Sequence, residues 1–216
     1  MLRDKKFYFL LFLTILFRLP SFLFRGAPGG DEVAYFDQAL ELMNSGPDWK
    51  GMEYIQAAPK LLFIIINAPV VNFFYKVTGN AGLSVAILPL LLSIAGLFAV
   101  YELGRRLYGI RGAYWAGLVY AVMPYLVLQS SLMHAEQYYI VFYLFGALML
   151  NSYLRSRKTS VLILTMSWFA AICKVRPEGI IIFFIALVSI ITWSLKEREH
   201  EPGRKNEWLR TAFLST

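Results

Sequence analysis

The strongest constraint on what this chain can fold into is a train of long apolar runs with almost no charge inside them. They cover residues 7–24, 61–75, 81–103, 112–131, 137–154, 161–173 and 180–195. About 20 apolar residues in a helix cross a bilayer core of about 30 Å. The chain is 58% hydrophobic with a mean hydropathy of +0.54, above the roughly 45–50% of soluble domains. The expected fold class is therefore all-α, a polytopic transmembrane helix bundle. The first run closes without a small-residue cleavage site and is followed by further runs, so it reads as an uncleaved anchor.

A net charge of +7 could point to nucleic acid, but the cations sit in short clusters between the apolar runs. That arrangement marks cytoplasmic loops under the positive-inside bias, and no nucleic-acid module is present. The lone Cys173, inside an apolar run, excludes an intrachain disulfide and a thiolate metal cluster.

Sidedness turns on the run over 61–75, which Asn67, Pro69 and Asn72 interrupt. As a helix it reaches only about 22 Å, short of the hydrocarbon core. If it lies in the interface or dips into the bundle, Arg105, Arg106, Arg111, Arg155, Arg157 and Lys158 all fall on the side of the N-terminus. Making it a full span moves the Arg105-Arg106 loop across and breaks the bias. The expected topology has a cytoplasmic N-terminus and an amphipathic interfacial segment in the first outer loop. Three polar clusters then share the outer face: Asp31-Glu32, His134-Ala135-Glu136, and Lys174 to Gly179.

Each cluster has a plain reading beside a chemical one. Asp31 follows Gly29-Gly30 and can cap a helix whose apolar stripe is Val33, Phe36, Leu40 and Met43, with Asn44 to Pro47 as its stop. It can equally be a carboxylate poised at the water edge. Arg18 lies well inside the first run and either faces a polar cavity or snorkels outward. Glu136 is a second acid, a ligand, or an interfacial residue, and His134-x-Glu136 is too small a set to define a metal site. Arg176, with Lys174 beside it, suits phosphate oxygens or simply anchors a turn through an Arg–Glu pair.

Together these residues resemble the N-terminal half of a polytopic GT-C glycosyltransferase, in the branch that holds protein O-mannosyltransferases and lipid A aminoarabinose transferases. The resemblance runs through Arg18, then Asp31-Glu32-Val33-Ala34-Tyr35, then Ala58-Pro59-Lys60-Leu61-Leu62 to Val77-Thr78-Gly79. It continues through Tyr101 to Gly109, Glu136, and Arg176-Pro177-Glu178-Gly179. It departs where Glu136 replaces a more common Asp and where Gln56-Ala57-Ala58-Pro59 replaces a charged residue before paired prolines.

The resemblance implies that residues 1–216 form the front part of a GT-C transmembrane domain, about six spans with an interfacial outer loop over 25–80, and that a C-terminal remainder follows. It implies a hexosyl or pentosyl transferase that moves a sugar from a polyprenyl-phosphate donor to a lipid, glycan or protein acceptor. The site would face outward from the plasma (inner) membrane. Asp31 would be the general base and Glu32 would orient the acceptor. Arg176, or Lys174, would stabilise the leaving phosphate, with Arg18, Tyr35, His134 and Glu136 also binding substrate. No cofactor is expected; the acids are able to bind a divalent cation, but no ligand set is complete. The alternatives are a small-solute transporter, for which Arg18 and the broken 61–75 run speak, and a non-catalytic membrane subunit.

Overall fold

The described residues of the computed structural model, 4–44 and 60–200, contain helices and no strand. The stop at Ser45 to Pro47, the Gln56 to Pro59 approach and the segment from Glu207 to Leu214 lie outside them. The helices are α1 (Lys5–Leu23), α2 (Asp31–Asn44), α3 (Leu61–Thr78), α4 (Ala81–Val122), α5 (Pro124–Gln129), α6 (Ala135–Ser156), α7 (Thr159–Val175) and α8 (Gly179–His200).

The long α4 is a hairpin rather than a rod. Gly109, at φ 70° and ψ −166°, breaks it into two arms, in a region of backbone space that only glycine visits readily. The arms run antiparallel: the Tyr120 hydroxyl donates to the Ser93 carbonyl at 3.0 Å, and the tyrosine oxygen fills the space a side chain on Gly96 would need. The polar connection expected over 104–111 is thus helical up to Tyr108, with the turn confined to one glycine. The apolar run over 112–131 is not one helix either. Pro124 forces Met123 into extended backbone, the second arm ends at Val122, and α5 starts a separate turn.

Contacts sort the helix ends into two groups. At one end Asp4 accepts from the Tyr101 hydroxyl, Arg106 donates to Ser152 at 2.7 Å, and Arg155 reaches the Arg106 carbonyl at 2.7 Å. At the other, Gly26 abuts Gly82, Met133 meets Glu32, and Arg176 meets Glu136. Six rods (α1, the two arms of α4, α6, α7 and α8) run back and forth between these ends.

The α3 helix does not follow them. Its buried face, Phe63, Ile64, Ala68 and Val71, packs on Val85 near the start of α4, Met133, Ala135 and Tyr138 near the start of α6, and Val175 at the end of α7. The helix, about 27 Å long, runs beside α2, with Tyr35 on Phe63 and Phe36 on Tyr75. It meets α4, α6 and α7 toward one end of each and so lies across the bundle. Asn67, which interrupts the apolar run in the sequence, is fully buried here. It donates to the Phe63 carbonyl at 2.8 Å and accepts from the buried Tyr138 hydroxyl, which fastens α3 to α6.

The exterior of the rods is apolar. Phe12, Leu16, Trp115, Ile163 and Phe184 are each about half exposed or more, over a far larger surface than the few hundred Å² of apolar patch a soluble monomer shows. The α1 and α4 helices are long and apolar enough to cross a membrane. The fold is an all-α membrane bundle capped by a crosswise helix.

Replacing Gly109 by alanine forces a Cβ into that glycine-only backbone region. Gly109→Ala is expected to destabilise the hairpin by about 1–3 kcal/mol, read as a lower melting temperature of the protein in detergent.

Candidate active site

The site begins where the chain leaves α1. Arg25 to Gly30 turn back, and Gly30, in the left-handed region at φ 57°, directs the backbone into α2. The Glu32 and Val33 amides bond to the carbonyls of Gly29 and Gly30 at 3.2 and 3.3 Å. Asp31 is therefore the first residue inside the helix and not its cap; the glycines hold the entry. Two acids in the first turn suit the positive end of the helix dipole.

One residue along a helix is a rotation of about 100°, and the two carboxylates part accordingly. Asp31 is exposed, and among the described residues its carboxylate makes no hydrogen bond or ion pair. Glu32 is 4% exposed. Both its oxygens pair with Arg25 Nη2, and Oε1 also accepts the Met133 amide at 2.6 Å. A carboxylate with three such bonds ties the α1 exit, α2 and the α5–α6 connection together, so Glu32 positions the site and is not free to handle an acceptor.

The rotation also corrects the expected α2 stripe. Val33 and Met43 are exposed, at 43% and 41%. The face turned to the core carries Tyr35, Phe36, Ala39 and Leu40, because anchoring Glu32 inward sets the register. Tyr35 stacks edge-on against Phe63 at 5.0 Å, and its hydroxyl accepts from Lys60 at the start of α3.

The remaining residues come from the turn between α7 and α8. Arg176 donates to Glu136 Oε1 at 2.7 Å and to both oxygens of Glu178 at 3.1 and 3.2 Å. The Glu178 carboxyl is held below its ordinary pKa, first by a hydrogen bond from its own backbone, then by Arg176, with Lys60 adding at longer range. A depressed carboxylate pKa means this pair is present above the ordinary carboxylate range and is lost as pH falls through the depressed value. Burial works against the Arg176 charge, but Glu178 and Glu136 outweigh it and raise its pKa. The three polar clusters thus form a circuit with one open link: Arg25–Glu32–Met133, then Glu136–Arg176–Glu178, then Lys60–Tyr35 back to α2, with Glu178 and Lys60 joined only by long-range charge.

Two other expected residues stand at the edge of this circuit. His134 is half-buried at the cap position of α6 without a capping bond from its side chain, and Lys174 is exposed in the last turn of α7. No three His, Cys, Asp or Glu side chains gather as a metal set among the described residues.

Arg18 is not at the site. It is fully buried and donates to the Ser93 hydroxyl, to the Tyr120 and Ala121 carbonyls at 3.0 and 2.8 Å, and to the Thr14 carbonyl at 3.4 Å. Its guanidinium lies 5.4 Å from the Tyr120 ring centroid. These carbonyls end the second arm of α4, where the helix leaves them unpaired, so Arg18 clamps α1 to the hairpin and offers no open face to a substrate.

Sequence reasoning passed over Arg25 and Lys60 as site members. Both looked like loop cations, and only their partners, seven and twenty-five residues away, reveal them. The one available signal was an arginine just before a Gly/Pro-rich link to two acids.

Compared with known proteins, the chain matches a family described as Dolichyl-phosphate-mannose-protein mannosyltransferase over residues 66–209. The matched stretch holds Glu136 and Arg176 and begins after α2. No curated protein and no solved structure matches the chain.

The Arg25–Glu32 pair is nearly excluded from water, with side chains 7% and 5% exposed. Removing one partner of a buried pair costs about 3–5 kcal/mol. Glu32→Gln is expected to lower the melting temperature by leaving the buried Arg25 charge uncompensated, whereas Asp31→Asn leaves it unchanged.

Proposed function

Because the chain belongs to the dolichyl-phosphate-mannose-protein mannosyltransferase family, a glycosyltransferase family of the GT-C type, we propose that it moves a sugar from a polyprenyl-phosphate donor to an acceptor hydroxyl at the outer face of the membrane. The observation that carries this reading is the contrast between adjacent carboxylates. Glu32 is locked inward by Arg25 and Met133, while Asp31 is exposed at the same helix start.

Asp31 acts as general base. It takes the proton of the acceptor hydroxyl as that oxygen attacks the anomeric carbon, and the bond from that carbon to the phosphate oxygen breaks. The polyprenyl phosphate leaves with the electron pair, and the anomeric configuration inverts. A lipid-linked donor suits a site at the bundle end, since its isoprenoid tail stays among lipids while its phosphate reaches the polar circuit.

Arg176 stabilises the charge growing on the leaving phosphate. Its planar fork suits phosphate oxygens, and it exchanges one of its carboxylate partners, Glu136 or Glu178, for them on binding. Lys174, exposed in the adjacent turn, adds positive potential. Tyr35 and His134 border the acceptor side. The family description makes mannosyl phosphate the first donor to test and a protein the first acceptor.

The basic end of the bundle, with Arg105, Arg106, Arg155 and Lys158, faces the cytoplasm under the positive-inside bias. The polar circuit then faces outward from the plasma membrane.

A positioned carboxylate contributes about 10²–10⁴-fold to such a step. In membranes carrying the full-length protein, Asp31→Asn is expected to lower transfer of radiolabelled sugar from polyprenyl-phosphate donors by that factor while the protein level holds. Wild-type turnover by the variant would sink Asp31 as the base, and transfer absent from every form would favour a transporter or subunit.

A further inference from the structure

The end of the bundle opposite the circuit holds more positive charge than its own carboxylates neutralise. Residues 102–111, at the tip of the α4 hairpin, and 155–158, in the α6–α7 link, carry six cations and one acid, Glu102. Both Glu102 oxygens are taken, by Arg105 Nε and Nη2 at 2.8 Å and by Arg106 Nε at 2.7 Å. Arg155 has no share in that carboxylate. Its Nη2 donates to the Arg106 carbonyl at 2.7 Å, while Arg106 Nη1 reaches Ser152, one turn back along α6. The joint between α6 and the hairpin thus gathers three arginines around a single acid. Arg111 and Lys158 are exposed in the same two segments and meet no carboxylate among the described residues. Like charges so placed repel one another and work against the compact state.

The apolar neighbours select the partner that relieves this. Leu107, Tyr108 and Ile110, in the same tip, are 52%, 78% and 45% exposed, and Trp115 is exposed one turn further along the second arm. A water-soluble polyanion matches the cations and leaves Leu107 and Ile110 in water. An acidic phospholipid matches both. Its phosphate lies at the level where Tyr and Trp rings settle in a bilayer, and its chains lie just beneath. Long Arg and Lys side chains reach that level while their stems stay on apolar surface.

We propose that the α4 tip and the α6–α7 link together form a docking surface for acidic phospholipids, with their phosphates against Arg111, Arg155 and Lys158 and their chains against Leu107, Tyr108 and Ile110. Phosphates held there screen the arginines at the joint, so the stability of the bundle depends on the charge of the lipid around it. The surface lies at the far end from Asp31 and Arg176, and the proposal stands or falls independently of sugar transfer. Each Lys or Arg near an acidic bilayer surface adds about fivefold to the affinity, which sets the size of the effect.

The test uses the purified full-length protein in neutral detergent. Dioctanoyl phosphatidylglycerol is titrated in, with dioctanoyl phosphatidylcholine and polyglutamate as parallel probes, and both binding and melting temperature are read. Phosphatidylglycerol is expected to bind and to raise the melting temperature, and phosphatidylcholine to do neither. The double variant Arg155→Gln, Lys158→Gln is expected to weaken phosphatidylglycerol binding roughly tenfold or more. Arg111→Gln, an exposed position whose loss leaves the α6 joint intact, is expected to weaken it about fivefold even if the double variant does not fold. Lys76→Gln, an exposed change in the last turn of α3 at the other end, is expected to bind as wild type does.

Wild-type affinity for phosphatidylglycerol in folded Arg111→Gln and Arg155→Gln, Lys158→Gln proteins overturns the surface. Equal stabilisation by phosphatidylcholine overturns the role of charge. Polyglutamate displacing phosphatidylglycerol at equal affinity overturns the lipid as occupant and assigns this end to an acidic protein segment.

Discussion

A single buried carboxylate sets the geometry of the polar end of this molecule. Glu32 receives Arg25 from the α1 exit and the Met133 amide from the α5–α6 connection, while its own backbone opens α2. Two neighbouring stretches of chain and a third 101 residues further on thus meet at two oxygen atoms, and each bond is charge-assisted and shielded from water, the setting in which such bonds are strongest. Most of what lies nearby follows. The α2 register turns Tyr35 and Ala39 inward, Tyr35 meets Lys60, and Lys60 starts the crosswise α3. Asp31 is left pointing outward because its neighbour is committed inward.

The crosswise helix solves a problem that a bundle of rods would otherwise leave open. Six rods ending at one level expose apolar residues at or beside their ends, such as Val85, Met133 and Val175, toward the polar surface. The α3 helix covers them with Phe63, Ile64 and Val71 and keeps its one buried amide, Asn67, satisfied by Phe63 and Tyr138. The site therefore rests on a packed apolar floor rather than on loops, and its charged groups are held against that floor in pairs. Arg176 is neutralised by two carboxylates, a resting arrangement that a phosphate ligand would have to displace.

Much of the architecture was legible in the amino-acid sequence, and the reasons are physical. Apolar runs report burial directly, so the helical bundle could be read. The meeting of Glu32, Glu136 and Arg176 at one end followed from counting those runs. What could not be read depends on rotation and on distant partners. The apolar stripe of α2 pointed to Val33 and Met43, but an ion pair outranked it, and hydrophobic pattern carries no information about that pair. Arg18 was legible as an anomaly and not as a clamp, because its acceptors are carbonyls, which leave no trace in side-chain identity. Arg25 was hidden for a related reason, since a loop cation looks the same whether it is solvated or buried.

The way Arg18 is bound has a consequence for how this chain can drift over evolutionary time. Three of its four acceptors are main-chain oxygens, of Thr14, Tyr120 and Ala121, which every amino acid supplies equally. The residues around the clamp are therefore at liberty to change provided the helix end stays where it is, whereas no other side chain can reach several carbonyls on two helices at once. Beyond the Ser93 hydroxyl and the Tyr120 ring, the demand of this joint falls on Arg18 itself, and the join between the first helix and the hairpin can persist while the residues that supply only carbonyls change.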